Sequence, residues 1–289
     1  MSSDHALLVQ LLGKVKSGDM VLPSLPEVAI AVRELARQPD CALSDLASEI
    51  SKDPALAARI VSLSNSAAFG GVSKSTSVIA AVTRLGLDRT RDLAVAAAMQ
   101  QLFRSSRSMT WDLMDEIWRH NVEVASCACA VLACQQELGN LTGLSADTLL
   151  LAALIHNIGA LPVLEEAETQ PKLFAEREQL RRVTQLLKAP IGRTVLLEWG
   201  FEDEMVEVVH RWNDFSFQSP EVGYLDLVRL AAIYTREVVL ADPFHSVLEM
   251  FVTKGVIPSL DLFGMETYFL TYNEIKASFD SGPGFRRTG

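Results

Sequence analysis

Two histidines carry the chemistry that this sequence could perform. His120 lies in "WRHNVEVASCACAVLA" and His156 in "LAALIHNIGAL"; a neutral imidazole is the commonest protein ligand for a metal and the side chain best suited to proton transfer near neutral pH. A single His on a half-apolar helix is ordinarily a core or surface residue. Two of them, on helices expected to pack together, form a more specific pair. His210 is a third imidazole, two residues before Trp212 in "VEVVHRW".

Other reactive side chains point to blander roles. Cys127, Cys129 and Cys134 share one Ala-rich run, with Cys41 apart. On a helix Cys127 and Cys134 lie on one face while Cys129 points roughly 200° away from Cys127. One straight helix therefore cannot wrap the three thiols around a tetrahedral zinc, and they read as small buried residues at a tight helix contact. Lys188 and Arg193, in "LLKAPIGRTVLLEWG", fall near an expected helix start, where an anion could bind. Without a Gly-rich loop, solvated surface charge is the simpler reading. Trp111, Trp118, Trp199 and Trp212 could line a pocket, yet aromatics at helical spacing are more often core.

The elements that must position these residues are helices. Pro26 opens the first clear one, Ser44 is placed to cap the next, and Asp53-Pro54 to cap and start a third in which Leu56, Ile60 and Leu63 form an apolar stripe before Gly70-Gly71. A helix from Ser77 to Leu85 is closed by Gly86, and another starts at Asp88. The second and third of these have the outline of a helix-turn-helix, but only Arg59 is basic between Pro54 and Ser66. A polar stretch, 104–109, is the expected linker between an N-terminal helical lobe, 1–107, and a second lobe, 108–280. In the second lobe a long helix spans 111–137; Ser145 or Asp147 caps "TLLLAALIHN", with Gly159 as a left-handed C-cap. A charged helix spans 165–187, and "IGRTVLLEWG", "EDEMVEVVHRW" and "YLDLVRLAAIYTREVVL" give three more. A short extension follows Pro243, and 281–289 reads as a disordered tail. No segment alternates with period two, so the fold class is all-α.

Composition agrees. Of 289 residues 49% are apolar and only 7% aromatic, a balance that excludes general disorder and favours Ala- and Leu-rich helices. The 26 basic against 36 acidic residues give a net charge of −10, which repels nucleic acid and anionic lipid. Uninterrupted apolar runs, such as 93–99 and 149–155, are far short of the ~20 residues needed to span a bilayer. With no basic n-region or cleavage pattern at the start of the chain, the cytoplasm is the expected compartment.

A resemblance extends this reading. The motifs "LPSLPEVA", "LASEISKDPALAARIVSLSNSAAFG", "SVIAAVTRLGLDRTRDLAVA", "LIHNIGAL", "LLEWGFEDEMVEVVHRW" and "LVRLAAIYTREV" resemble the HDOD domain of bacterial signalling proteins, a relative of the HD phosphohydrolase superfamily. The resemblance implies a multi-helical fold with an N-terminal lobe packed on an HD-type lobe. Active members of that superfamily bind divalent metal through a His, a His-Asp doublet and a later Asp. His120 matches the first ligand and His156 the doublet histidine, whereas Asn157 replaces the doublet Asp and Ala232 stands where the last Asp would fall. Trp212 lies near a position where many relatives have another His, and His210 is out of phase with it by roughly 200°.

With two of four ligands absent, the resemblance implies a vestigial pocket of His120, His156, Asn157, Ala232, His210 and Trp212. No catalytic residue and no cofactor is expected, and any metal would have only His120 and His156. The surplus carboxylates should lie outside the pocket. The implied function is a non-catalytic signalling or regulatory module, sensing a small ligand or binding a regulatory protein in trans: a response regulator, a sensor kinase or a cyclic-di-nucleotide turnover protein. A metal-dependent phosphohydrolase or phosphodiesterase with substitute ligands is the alternative, and a helix-turn-helix DNA-binding regulator a third.

Overall fold

Apolar positions repeating every three to four residues, punctuated by Pro, Asp, Ser and Gly, produce a chain that is helical throughout. The computed structural model describes residues 3–69, 74–103, 108–170, 174 and 176–280; among them there are thirteen α-helices and no strand. The first five are α1 (Ser3–Ser17), α2 (Glu27–Ala36), α3 (Leu43–Ser51), α4 (Pro54–Ser64) and α5 (Val78–Ala98). Next come α6 (Ser108–Glu137), α7 (Ala146–Ile155), α8 (Ala160–Thr169), α9 (Arg177–Glu198), α10 (Asp203–Arg211) and α11 (Tyr224–Tyr234). The chain closes with α12 (Phe244–Lys254) and α13 (Glu266–Asp280).

Local chemistry sets many of the ends. Asp53 accepts hydrogen bonds from the Ala55 and Leu56 N–H groups at 2.9 and 3.1 Å, with Pro54 at the first helical position. Ser77 accepts from Ala80 N at 3.3 Å, and Gly86, at φ 79° and ψ 179°, breaks α5 into two segments. Ser44 does not cap α3: it lies inside the helix, and Asp45 instead accepts from the Ala42 N–H at 3.1 Å. The expected Gly70-Gly71 stop, most of the expected linker (104–107) and the expected tail (281–289) lie outside the described residues.

Four larger differences decide the site. Gly159 is not a left-handed cap: its φ is −69°, and its function is close approach, since a Cβ there would lie 2.1 Å from Lys188 O and 2.2 Å from Gly192 N. α9 runs unbroken from Arg177 through Pro190 to Glu198, so no helix starts near Lys188. α11 ends at Tyr234 rather than continuing through 240, and Arg236 turns the chain at φ 65°. The C-terminal part is also no short extension, because α13 lies across α4 and α6. There Ser62 and Ser278 share a 2.8 Å hydrogen bond and Trp118 meets the Phe279 ring edge-on with centroids 6.0 Å apart.

One apolar core runs from Leu7 to Phe279, through both the 1–107 and 108–280 segments. The stretch Ala146–Thr169 has the length and hydropathy of a membrane span, but 94% of its most apolar window is buried inside the fold and the chain turns at 156–159. It is the core helix pair of the molecule. The three clustered cysteines are buried: Cys127 accepts from the Tyr268 hydroxyl at 3.4 Å, and burial pushes the Cys127 thiol up to about 12 and that of Cys134 to about 11.

Candidate functional site

His120 projects from the middle of α6, and His156 caps the C-terminal end of α7. His156 is fully buried, with Nδ1 2.5 Å from Ala153 O. That bond fixes the tautomer: Nδ1 carries the proton, leaving Nε2 to accept from Asn157 Nδ2 at 2.9 Å. Burial pushes the His156 pKa down to about 4, so the ring is neutral at physiological pH. Asn157 Nδ2 also reaches Asn121 Oδ1 at 2.8 Å, and Asn121 in turn donates to Leu154 O at 2.9 Å. The Asn157 amide thus presents its nitrogen to three acceptors, the third being Glu237 Oε1 at 3.3 Å.

Glu237 corrects the expectation that the acid lies elsewhere. Its side chain is 4% exposed, and its carboxylate joins His120 Nδ1 at 2.8 Å to Lys188 Nζ at 2.9 Å. Burial alone would raise its pKa, but the His120 hydrogen bond and the Lys188 charge outweigh burial and hold the carboxyl well below the usual range. The same hydrogen bond raises the pKa of His120, which stays half exposed. Lys188 is 2% exposed and not a solvated charge; burial lowers its pKa, against the pull of Glu237.

Trp212 completes the walls. Lys188 Nζ sits 4.4 Å from the centre of its ring, and the His156 ring meets it edge-on at 4.5 Å. The Trp212 indole N–H and Asn157 Oδ1 are buried with no hydrogen-bond partner among the described residues. His210 is partly exposed, and its pKa is lowered by burial and then by the charges of Arg211 and Arg193 rather than by this cluster. Ala232 is buried on α11, where its carbonyl accepts from Val238 N at 3.0 Å and so fixes the turn that delivers Glu237. Among the described residues, no three His, Cys, Asp or Glu side chains are grouped so as to hold a metal ion.

Sequence reasoning missed Glu237 and Asn121, and it named Lys188 only as a surface charge or anion contact. Glu237 has one signal, a carboxylate five residues after Ala232, but on a continuous helix i and i+5 are ~140° apart and face different neighbours. Only the early end of α11 brings it inward.

An all-helical fold that sets a half-exposed His120 beside a buried His156 is of the HD-type helical class. The sequence profile of the HDOD domain matches residues 22–215, and the chain belongs to that family. The chain is 42% identical to a candidate metal-dependent phosphohydrolase from Shewanella amazonensis SB2B, whose crystal structure superposes with a TM-score of 0.93 over 96% of this chain and 100% of that one. An HDOD domain protein of unknown function from Geobacter sulfurreducens shares the fold at 20% identity, with a TM-score of 0.62 over 96% of this chain and 98% of that one. A candidate signal transduction protein from Marinobacter aquaeolei VT8 does so at 20% identity and a TM-score of 0.56, over 90% of this chain and 59% of the other. An uncharacterized protein from Treponema pallidum (strain Nichols) is 24% identical over 195 residues, 66% of this chain and 35% of its own length, so the chain spans about a third of that relative.

Proposed function

We propose that this chain is a non-catalytic HDOD signalling module, cytoplasmic, that binds a regulatory protein in trans or senses a small ligand and turns over no phosphoester. The observation that carries the reading is the buried Lys188–Glu237 ion pair, 2.9 Å long, beside His120 and His156. Phosphoester hydrolysis in the HD superfamily needs a metal to activate water and clamp the phosphoryl oxygens. The donor set does not suit one. The carboxylate already balances an ammonium, and a divalent ion placed ~4 Å from that ammonium would be repelled by roughly 8 kcal/mol at an effective dielectric of ~20. His156 Nε2 is engaged by Asn157, and the Asn157 amide turns its nitrogen toward the carboxylate. Lys188 thus supplies from within the chain the positive charge that a metal would bring.

The net charge of −10 favours a partner with a basic surface. Response regulators, sensor kinases and cyclic-di-nucleotide turnover proteins are the partner classes we infer from family membership. Duplex DNA fits less well: Arg59, the one basic side chain of α4, is turned inward, donating to Ser278 O and Ala97 O at 3.0 and 2.9 Å. A metal-dependent phosphohydrolase is the second reading, favoured by the carboxylate that Glu237 adds and by the name of the Shewanella relative. Elemental analysis of the purified protein, with a screen of phosphomonoesters and cyclic nucleotides in added Mn or Mg, separates the two. We expect substoichiometric metal and no turnover. Stoichiometric metal with turnover that disappears in His156→Ala would overturn the non-catalytic reading.

A further inference from the structure

A second cleft lies away from the histidines. It encloses about 300 Å³ between α2 and α5 on one side and α7, α10 and α11 on the other, and three guanidinium groups line it: Arg33, Arg37 and Arg91. Two of these are tied into the fold. Arg33 donates to Trp199 O and Gly200 O at 2.9 and 3.0 Å and rests on the Phe201 ring, 4.5 Å from its centre; Arg91 pairs with Asp92 at 2.7 Å and Asp88 at 3.2 Å. Arg37 makes no side-chain hydrogen bond or ion pair among the described residues.

The fold accounts for Arg33 and Arg91 through those bonds, whereas Arg37 stands exposed at the rim of the cleft with no partner of its own among the described residues. Burial, followed by the charges of Arg37 and Arg91, lowers the Arg33 pKa, and Asp92 and Glu202 offset this only in part. The first turn of α10 opens on the same cleft. Its N-cap, Glu202, makes no side-chain cap, so the N–H groups of residues 203–205 lack intrahelical partners at the positive end of the helix dipole, with Asp203 and Glu204 in the same turn as the negative charges an anion there must overcome. Planar guanidiniums and helix N-terminal amides both select phosphate oxygens. Three carboxylates, Asp92, Glu202 and Glu204, share the lining, which disfavours a bare polyanion and offers acceptors for hydroxyl groups. The volume, at the low end for ligand pockets, is too small for a dinucleotide.

We propose that this cleft binds a compact phosphate-bearing metabolite with hydroxyl groups, of the size of a sugar monophosphate, its phosphate held by Arg37, Arg91 and the start of α10. Bound there, it would tie α10 to α2 and α5. The inference goes beyond the non-catalytic reading of the His120 pocket and does not depend on it: turnover found at that pocket would leave this cleft unchanged.

The test titrates the full chain with ribose 5-phosphate, inorganic phosphate and ribose, read by calorimetry and by thermal shift. The expected result is saturable binding of ribose 5-phosphate with a dissociation constant of about 0.1–1 mM and a Tm rise of about 3 °C near ten times that concentration. Inorganic phosphate should compete about tenfold more weakly, and ribose not at all. Arg37→Gln, which removes no intramolecular bond, should weaken binding at least about tenfold while leaving the unliganded Tm unchanged. No heat and no shift with ribose 5-phosphate up to about 10 mM would sink the proposal, as would binding that Arg37→Gln leaves intact. Inorganic phosphate binding as tightly as ribose 5-phosphate would overturn the metabolite assignment.

Discussion

An ammonium buried against an indole costs several kcal/mol unless a counter-charge is fixed beside it, and Lys188 meets that condition only through Glu237. Removing one partner strands the other. Glu237→Gln should therefore destabilise the chain by about 3–5 kcal/mol, and Lys188→Met added to Glu237→Gln should recover most of that loss; urea unfolding of the two single variants and the double variant gives the coupling. A pair whose variants are additive would mean that the charges do not compensate each other. The pH dependence has a defined sign. His156 has a folded pKa of about 4, below the ~6.5 of an unfolded His, so between those values the unfolded chain binds the extra proton and stability rises with pH. Its contribution is complete above ~6.5 and lost as pH falls toward 4, with a slope of at most ~1.4 kcal/mol per pH unit. Glu237, depressed, adds a loss below the usual carboxylate range, whereas His120, raised, contributes below ~6.5 and loses that contribution as pH climbs through its folded pKa. Unfolding measured at several pH values between 4 and 7 should show the acid-side slope in the wild type and a shallower one in His156→Gln.

The placing of Lys188 depends on how closely two helical segments approach. The turn after α7 meets α9 at Gly159 and Gly192, and that contact sets the depth at which Lys188 enters the core. Gly159→Ala would put a Cβ against backbone, which cannot step aside, so a loss above about 3 kcal/mol or failure to fold is expected. Gly192→Ala would meet a side-chain methyl, Val209 Cγ1, at 2.6 Å; its cost should be about 1–3 kcal/mol and be partly recovered by Val209→Ala. Thermal unfolding of the three variants tests this ordering, and equal costs at both glycines would contradict it. α11 acts by ending: were it to continue past Tyr234, Glu237 would leave the carboxylate position and Lys188 would lack its partner.

Across the molecule, α13 draws the N-terminal and later helices into one apolar core. Phe279 packs under Arg59 and against Trp118, and is 1% exposed. Phe279→Ala should cost about 3–5 kcal/mol, and it should do so without splitting the transition. Because the core is continuous, far-UV circular dichroism and Trp fluorescence should report coincident urea curves. Two separated midpoints would show that the 1–107 and 108–280 segments unfold independently.

What the sequence determined by itself was local. Asp53-Pro54 starts α4, Gly86 breaks α5, and Leu56, Ile60 and Leu63 face inward, because capping bonds and 3.6-residue periodicity act over a few residues. The HDOD motifs were likewise legible in short segments, and His120 and His156 could be named from them. The pairing of Lys188 with Glu237 could not. They lie 49 residues apart, one just before Pro190, where the sequence alone suggests a helix break, and the other on an apparent helix that ends early. Their pairing is a low-dielectric effect that exists only after α9 has closed on Gly159 and the turn at Arg236 has swung inward. Charge inside a core is decided by which opposite charge is buried with it, and that is a property of the packed chain.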